Sequence, residues 1–188
     1  MRARRLILAS ASPRRARILE SLGLTFEIRP ADVDESMLEG ESAKVAVRRL
    51  AKQKALVPHR RPNDCVIAAD TVVVLGSRIL GKPKDGAEAR AMLRDLSGRT
   101  HTVTSGVAVA WGLKIATAVD LTEVRFRTMH ESEIVRYVGT GEPLDKAGAY
   151  HVEGGGAAFI EAIHGSPSNV AGLSVTTARR LLERAGVL

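Results

Sequence analysis

The chain of 188 residues is 45% hydrophobic and 26% charged, a balance typical of a globular protein that folds as one domain, and its single cysteine excludes an internal disulfide framework. The net charge of +7 favours an anionic partner, but the basic residues form no tract and aromatic residues make up only 3% of the chain, which argues against a nucleic-acid partner. A small polyanion is the ligand that this composition favours.

The sequence predicts a cytoplasmic protein with no membrane partner. No segment approaches the roughly 18 apolar residues of a membrane-spanning helix. The basic start leads into only about five apolar residues, too few for a signal peptide. The lone Cys65 lies inside an apolar stretch, as expected for a packing residue in a reducing compartment.

Strands and helices alternate along the chain, and their predicted bounds follow from hydrophobic periodicity and turn residues. In order, we predict a strand over residues 6–8, a helix from Pro13 to Gly23 with Ser12 as N-cap, an extended segment over 25–29, a helix over 42–56, a loop over 59–64, a hairpin of 65–75 and 78–80, a helix over 85–96, a strand pair of 102–111 and 114–127, a helix over 131–138, a loop-rich stretch over 139–156, a strand over 157–163 and a helix over 174–185. This pattern predicts an α/β fold around a mixed sheet.

Two arginines stand in the first turn of the first helix. The partial positive charge of a helix N-terminus disfavours cations, so Arg14 and Arg15 need an explanation. A phosphate bound among them and the hydroxyls of Ser10 and Ser12 would supply one. The alternative is a solvated basic patch.

Three further charged residues interrupt apolar patterns or follow them. Lys54 continues the apolar stripe of the helix over 42–56, although many helical lysines simply extend to solvent. Asp70 divides an otherwise apolar strand, so its carboxylate must be paired, bound to a metal or exposed at a strand end. Lys82 follows the hairpin and could return an ammonium group toward Asp70.

The acidic turn of Asp32, Asp34 and Glu35 offers oxygen ligands beside the predicted phosphate-binding cations. That combination favours Mg²⁺ or Mn²⁺, and a solvated acidic loop is the alternative. The histidines show no metal-ligand spacing. We interpret them as surface or turn residues; four are considered in this way: His101, His130, His151 and His164.

The segment from Pro143 to Gly156 combines Lys146, Glu153 and a glycine cluster that would let the backbone approach a ligand closely. Neither a dinucleotide-binding G-x-G-x-x-G after a strand nor a Walker G-x-x-x-x-G-K-[ST] motif is present. Any phosphate site is therefore of another kind.

Seven segments, taken in order and spacing, closely resemble the Maf family of nucleotide pyrophosphatases. They are Ser10-Ala-Ser12-Pro13-Arg14-Arg15, Val33-Asp34-Glu35, Ala69-Asp70-Thr71-Val72, Gly81-Lys82-Pro83, Leu96-Ser97-Gly98, Asp145-Lys146-Ala-Gly148-Ala-Tyr150 and Ser168-Asn169-Val170-Ala-Gly172-Leu173. The resemblance covers about residues 6–182.

The resemblance implies a fold, an activity and an assembly. The fold is that of inosine triphosphate pyrophosphatases: one Maf-like domain over residues 1–188, with an elongated mixed sheet, flanking helices and a central cleft between two lobes. The activity is hydrolysis of a nucleoside triphosphate to the monophosphate and pyrophosphate, dependent on a divalent metal cation such as Mg²⁺ or Mn²⁺. A homodimer is the expected assembly. A nucleotide-sensing regulator of cell division without turnover is the alternative.

The family's functional positions fall on residues that the charge pattern had already singled out: Ser10, Arg14, Arg15, Glu35, Lys54, Asp70 and Lys82. The cations and Ser10 would bind the triphosphate, and Glu35 and Asp70 would hold metal. Asp70 would also orient or deprotonate the attacking water, a role that the sequence does not separate from metal binding.

Substrate choice rests on three positions. Arg14 and Thr71 resemble the branch of the family that acts on dTTP, UTP and related pyrimidine nucleotides. Glu153 departs from that branch, where glutamine is usual, and is closer to the branch that prefers 7-methyl-GTP. Two positions against one favour pyrimidine nucleotides, with 7-methyl-GTP as the alternative, and Lys146 is assigned to substrate binding with them.

Overall fold

The computed structural model of the protein describes residues 4–58 and 61–188. Part of the predicted loop over residues 59–64 therefore lies outside the described residues. Within them, no helix is both long enough and apolar enough to cross a membrane.

Within the described residues, seven strands form one mixed sheet. They are β1 (Arg5–Leu8), β2 (Glu27–Ile28), β3 (Asp64–Leu75), β4 (Arg78–Leu80), β5 (Thr100–Trp111), β6 (Lys114–Phe126) and β7 (Ile160–His164). The order is β2-β1-β3-β5-β6-β7, with β4 paired to β3. β1 runs parallel to β2 and β3, whereas β4 and β7 run antiparallel to β3 and β6. The predicted mixed sheet is confirmed.

The helices agree with prediction except near the C-terminal third. They are α1 (Pro13–Ser21), α2 (Ala43–Leu56), α3 (Gly86–Leu96), α4 (Glu131–Gly139), α5 (Pro167–Val170) and α6 (Val175–Arg184). The short α5 was not predicted. The strand predicted from residue 157 begins only at Ile160, because Gly155–Phe159 form a 3₁₀ turn. Ser12 occupies the N-cap position of α1, but its side chain makes no capping hydrogen bond.

The described chain divides into two compact units. The first comprises the described residues of Met1–Asp70, together with Ser105–Asp120 and Gly172–Leu188. The second comprises Thr71–Thr104 and Leu121–Ala171. The chain passes between the units at four points: after Asp70 in β3, after Thr104 in β5, after Asp120 in β6 and after Ala171.

The first unit packs α2 closely against β5. A Cβ atom added to Gly106 would lie 2.1 Å from the carbonyl oxygen of Val47, so only glycine allows this approach of helix to strand. One core cluster of the same unit consists mainly of alanine side chains, whose small size keeps α2 close to the sheet: Ile7, Ala9, Ala51, Ala55, Val66, Ala68, Ala108 and Ala110. This packing fixes the helix that carries Lys54.

The second unit has an aromatic core that includes a histidine. His101 is 2% exposed, its Nε2 lies 2.9 Å from the Tyr150 hydroxyl, and its ring packs edge-on against Phe126 and Tyr150. Burial lowers the pKa of His101 from 6.5 to about 4, so the ring is neutral near pH 7. The prediction that His101 is a surface or turn residue was wrong.

Candidate active site

The turn between β1 and α1 fixes Arg15 and Ser10 against each other. Arg15 Nη1 donates to Ser10 Oγ at 3.1 Å, and Arg15 Nε donates to the carbonyl oxygen of Gly172 at 3.0 Å. The backbone N–H of Ser12 also donates to Ser10 Oγ, at 3.2 Å. The arginine of the first turn therefore bends back across its own helix start instead of extending to solvent.

These bonds set the hydrogen-bond polarity of Ser10. A hydroxyl has two lone pairs and one proton, and two N–H groups already point at the Ser10 oxygen. The proton is left to donate. A ligand atom at this position must consequently be an acceptor, which suits a phosphate oxygen.

Lys54 and two carboxylates form a tight cluster in the same unit. Lys54 Nζ lies 2.6 Å from Asp70 Oδ1 and 2.6 Å from Glu35 Oε1. Lys54 and Asp70 are 6% and 7% exposed, whereas the Glu35 side chain is 53% exposed. The charges that interrupted the apolar patterns of α2 and β3 thus compensate each other inside the unit, as burial of charge requires.

The charges of this cluster affect the pKa of Arg15. Burial lowers the pKa of the Arg15 guanidinium; the attraction of Asp70 works against that shift, Arg14 adds to it, and Glu35 again opposes it. Arg14 itself is half-buried. Cations and carboxylates therefore share one electrostatic environment, in which a polyanion and a cation could be bound together.

Glu35 and Asp70 fit a divalent cation. Both carboxylates already approach one positively charged nitrogen, and hard oxygen ligands are those that Mg²⁺ and Mn²⁺ prefer. Among residues 4–58 and 61–188, no group of three or more His, Cys, Asp or Glu side chains could hold a metal ion by itself. Since Mg²⁺ commonly uses one or two carboxylates and completes its shell with water and phosphate, the pair fits a metal that binds with the substrate.

The acidic turn contributes one carboxylate to the cluster. Asp34 Oδ1 accepts the Ser36 N–H at 2.9 Å, and this contact with Ser36 keeps the pKa of Asp34 low. Asp32 is exposed. Arg49 of α2 supports the loop that follows, because its Nη2 donates to the Ser36 carbonyl at 3.0 Å.

The other four predicted residues belong to the second unit. Thr71 is half-buried, and Lys82 is exposed beside a hollow of about 300 Å³ that is also lined by Arg78, Leu80 and Glu88. The Lys146 ammonium contacts Asp145 and donates to the Glu142 carbonyl at 3.4 Å. The chain after Lys146 meets the chain before Lys82, since Gly148 N–H donates to the Gly81 carbonyl at 3.0 Å.

Glu153 lies on a glycine-rich segment that is fastened by Glu142. The Glu142 carboxylate accepts the Tyr137 hydroxyl at 2.7 Å and the N–H groups of Gly155 and Gly156 at 3.2 and 3.4 Å. Burial works against ionisation of Glu142, but these hydrogen bonds outweigh it and hold its pKa below the usual value. Glu153 itself is exposed, with its Oε2 3.9 Å from His151 Nε2.

Sequence reasoning missed three supporting residues. Arg49 belongs to an isolated basic pair, Arg48-Arg49, and its only sequence signal is Glu41 eight residues earlier, to which it donates twice. Glu142 precedes a proline in the stretch over 139–156 that the sequence predicts to be loop-rich. Gly106 lies inside a strand, where an isolated glycine does indicate close approach of another backbone.

The chain is also similar to known proteins. A family model described as Maf-like protein matches residues 5–185. Two proteins named dTTP/UTP pyrophosphatase are similar over nearly their whole length. That of Anaeromyxobacter dehalogenans (strain 2CP-1) is 52% identical over 187 residues, which cover 97% of this chain and 94% of the relative. That of Aquifex aeolicus is 45% identical over 185 residues, with 98% and 97% covered.

A solved structure shares the fold at low sequence identity. The structure of a HAM1 protein from Coxiella burnetii superimposes with a TM-score of 0.50 at 16% identity, over 97% of this chain and 100% of that chain. At this identity the likeness concerns the fold alone. It supports the mixed α/β architecture that the sequence predicts.

Proposed function

Since the chain belongs to the Maf-like protein family, we propose that it is a pyrophosphatase that hydrolyses dTTP, UTP and related pyrimidine nucleotides to the monophosphate and pyrophosphate. The observation that carries this proposal is the buried Lys54–Asp70 pair with Glu35, next to the Ser10–Arg15 contact. These residues offer cations and a hydroxyl donor for a polyphosphate, and carboxylates for a metal ion and a water molecule.

Phosphate binding is the role of the basic residues. Ser10 donates its hydroxyl proton to a phosphate oxygen, and Arg15 and Lys54 balance the negative charge of the triphosphate. By family resemblance, Lys82 joins them on the phosphates, and Arg14, Thr71, Lys146 and Glu153 contact the nucleotide. The charge that builds up on the departing pyrophosphate is stabilised by the same cations.

Asp70 is the residue assigned to the attacking water. Its carboxylate orients the water or takes its proton; the water oxygen forms a bond to the α-phosphorus, and the bond from that phosphorus to the bridging oxygen breaks. The products are a nucleoside monophosphate and pyrophosphate. Glu35 and Asp70 would hold the divalent cation, which when bound polarises phosphate oxygens.

Pyrimidine specificity is supported by Arg14, by Thr71 and by the names of the relatives. Glu153 is the position that favours 7-methyl-GTP instead. An ionised carboxylate only accepts hydrogen bonds, so at Glu153 it would pair with ring N–H groups of a base and oppose its carbonyls. We also propose that the protein works as a cytoplasmic homodimer.

The test is pyrophosphate release from dTTP, UTP, CTP, 7-methyl-GTP, GTP, ITP and ATP, with Mg²⁺ or Mn²⁺ and with EDTA controls. Metal-dependent turnover of dTTP and UTP is expected. Asp70→Asn should lower turnover by about 10³-fold while the protein stays folded, because asparagine has nearly the same shape as aspartate but lacks its negative charge. Asp95→Asn, at an exposed ion pair with Arg78, is the matched control.

The other outcomes are informative. Turnover of 7-methyl-GTP alone would mean that Glu153 outweighs Arg14 and Thr71. If the folded protein releases pyrophosphate from none of these nucleotides, the result would favour a nucleotide-sensing regulator. Wild-type activity of Asp70→Asn would contradict the mechanism.

A further inference from the structure

Lys54 stands where a cation bound by Glu35 and Asp70 would stand. Its Nζ lies 2.6 Å from one oxygen of each carboxylate, so a single ammonium holds both groups. The whole Lys54 residue is only 6% exposed and lies on the buried face of α2, where its neighbours Ala51 and Ala55 are fully buried. Lys54 is therefore held at the carboxylates and has little freedom to lie elsewhere in solvent.

The ammonium and a divalent cation have the same electrostatic task. Two carboxylates that approach one point repel each other unless a positive charge lies between them. Arg15 also interacts electrostatically with both Asp70 and Glu35, and it donates hydrogen bonds to Ser10 and to the Gly172 carbonyl. Lys54 bonds directly to one oxygen of each carboxylate, so its ammonium uses oxygen atoms that a metal ion needs.

We propose that Lys54 is an internal competitor of the metal ion. It holds Glu35 and Asp70 together in the metal-free protein, and a divalent cation must displace its ammonium from at least one carboxylate. The displaced ammonium is then available to an anionic oxygen of a phosphate. The inference rests on the proposed function, which assigns the carboxylate pair to metal. It adds that affinity for free metal is kept low until a polyanion gives Lys54 another partner.

The first test measures Mn²⁺ binding without nucleotide, by the electron paramagnetic resonance signal of free Mn²⁺. Lys54→Met removes the competing charge and keeps most of the side-chain volume. Lys52→Met is the matched control, since Lys52 is exposed on the same helix. We expect Lys54→Met to bind Mn²⁺ about tenfold more tightly than wild type, as removal of one nearby unit charge from a partly desolvated site predicts. Lys52→Met should stay close to wild type.

The same variants give a stability readout. In EDTA, Lys54→Met should melt below wild type, because the two carboxylates lose their shared partner. Saturating Mn²⁺ should raise its melting temperature more than that of wild type. Unchanged, weaker or undetectable Mn²⁺ binding by folded Lys54→Met would overturn the proposal.

A second measurement uses the wild-type protein and covers the case in which Lys54→Met does not fold. Lysine is labelled with ¹³C at Cε, and Mg²⁺ is titrated without nucleotide while NMR spectra are recorded; Lys54→Arg assigns the Lys54 signal. We expect the Lys54 signal to shift as Mg²⁺ saturates and the Lys52 signal to stay in place. A Lys54 signal that does not move up to saturating Mg²⁺ would overturn the proposal.

The two proposals fail separately. If the wild-type protein hydrolyses dTTP and Lys54→Met binds Mn²⁺ no more tightly than wild type, the proposed pyrophosphatase activity stands and the competitor role of Lys54 is contradicted. Tighter Mn²⁺ binding in Lys54→Met, with no turnover of any nucleotide by wild type, would do the reverse.

Discussion

In the first unit the predicted functional side chains are held by one another, whereas in the second they lie on segments that other residues hold. Lys54, Asp70 and Glu35 form a mutual cluster, two of whose members are almost fully buried. Lys82 and Glu153 are exposed, and their segments are fastened by backbone hydrogen bonds and by Glu142. Substitutions of the buried functional residues in the first unit should therefore change stability as well as activity. Substitutions of the exposed residues in the second unit should change the free energy of unfolding less.

The largest effect is expected where the first unit depends on a glycine. Gly106→Ala would place a methyl group 2.1 Å from the Val47 carbonyl oxygen, so α2 must shift. We expect a loss of about 3 kcal/mol in the free energy of unfolding, measured with urea, and a drop in turnover because Lys54 moves with the helix. Gly139→Ala, where nothing lies within 4 Å of the added carbon, is the control. Equal stability of the two variants would contradict the close packing.

In the second unit, His101 should make stability depend on pH. Above pH 6.5 the His101 ring is mostly neutral in both folded and unfolded chains, so it does not make the free energy of unfolding depend on pH. Below pH 6.5 the unfolded chain binds a proton that the folded chain accepts only near pH 4, so stability falls as pH falls through that window. Between pH 7 and pH 4 wild type should lose about 3 kcal/mol more than His101→Gln. His164→Gln, at an exposed histidine, should follow wild type.

Removing the support of the glycine-rich segment should cost less. Glu142→Ala leaves the Tyr137 hydroxyl and the N–H groups of Gly155 and Gly156 without their acceptor. We expect about 2 kcal/mol of destabilisation and a higher KM for nucleotide, with kcat affected less. Glu161→Ala breaks only the exposed ion pair with Arg125 and is the control. A kcat that falls while KM stays constant would show that this segment does more than bind substrate.

The smallest effect is expected at the loop after Glu35. Arg49→Met removes the donor to the Ser36 carbonyl and the paired bonds to Glu41. Since Glu35 is the exposed member of the cluster, we expect about a tenfold loss in metal affinity during turnover, equivalent to about 1.4 kcal/mol. Titration of activity with Mg²⁺ measures it, and Arg48→Met, at an exposed neighbour, is the control. Similar Mg²⁺ curves for both variants would remove Arg49 from this role.

The sequence predicted those features that a local pattern can carry. Periodicity gave most strands and helices, and Lys54 and Asp70 attracted attention because a charge in an apolar pattern needs a partner. The partner itself was not readable, because it depends on where α2 and β3 meet in space. The prediction for His101 is wrong because the first residues of β5 are mostly polar, yet His101 and Val103 are buried while Thr100 and Thr102 are not. The start of β7 was misplaced because residues 157–159 carry apolar side chains yet continue a glycine-initiated 3₁₀ turn.

The hydroxyl of Ser10 distinguishes ligand atoms that accept a hydrogen bond from those that donate one. With two N–H groups directed at its oxygen, it can give a hydrogen bond but has no free lone pair to receive one. Analogues that present an amino or imido group there would meet donor against donor. Inhibitors of this protein should therefore keep an unprotonated oxygen at that point, and a mimic matched in shape but reversed in hydrogen-bonding character should bind poorly.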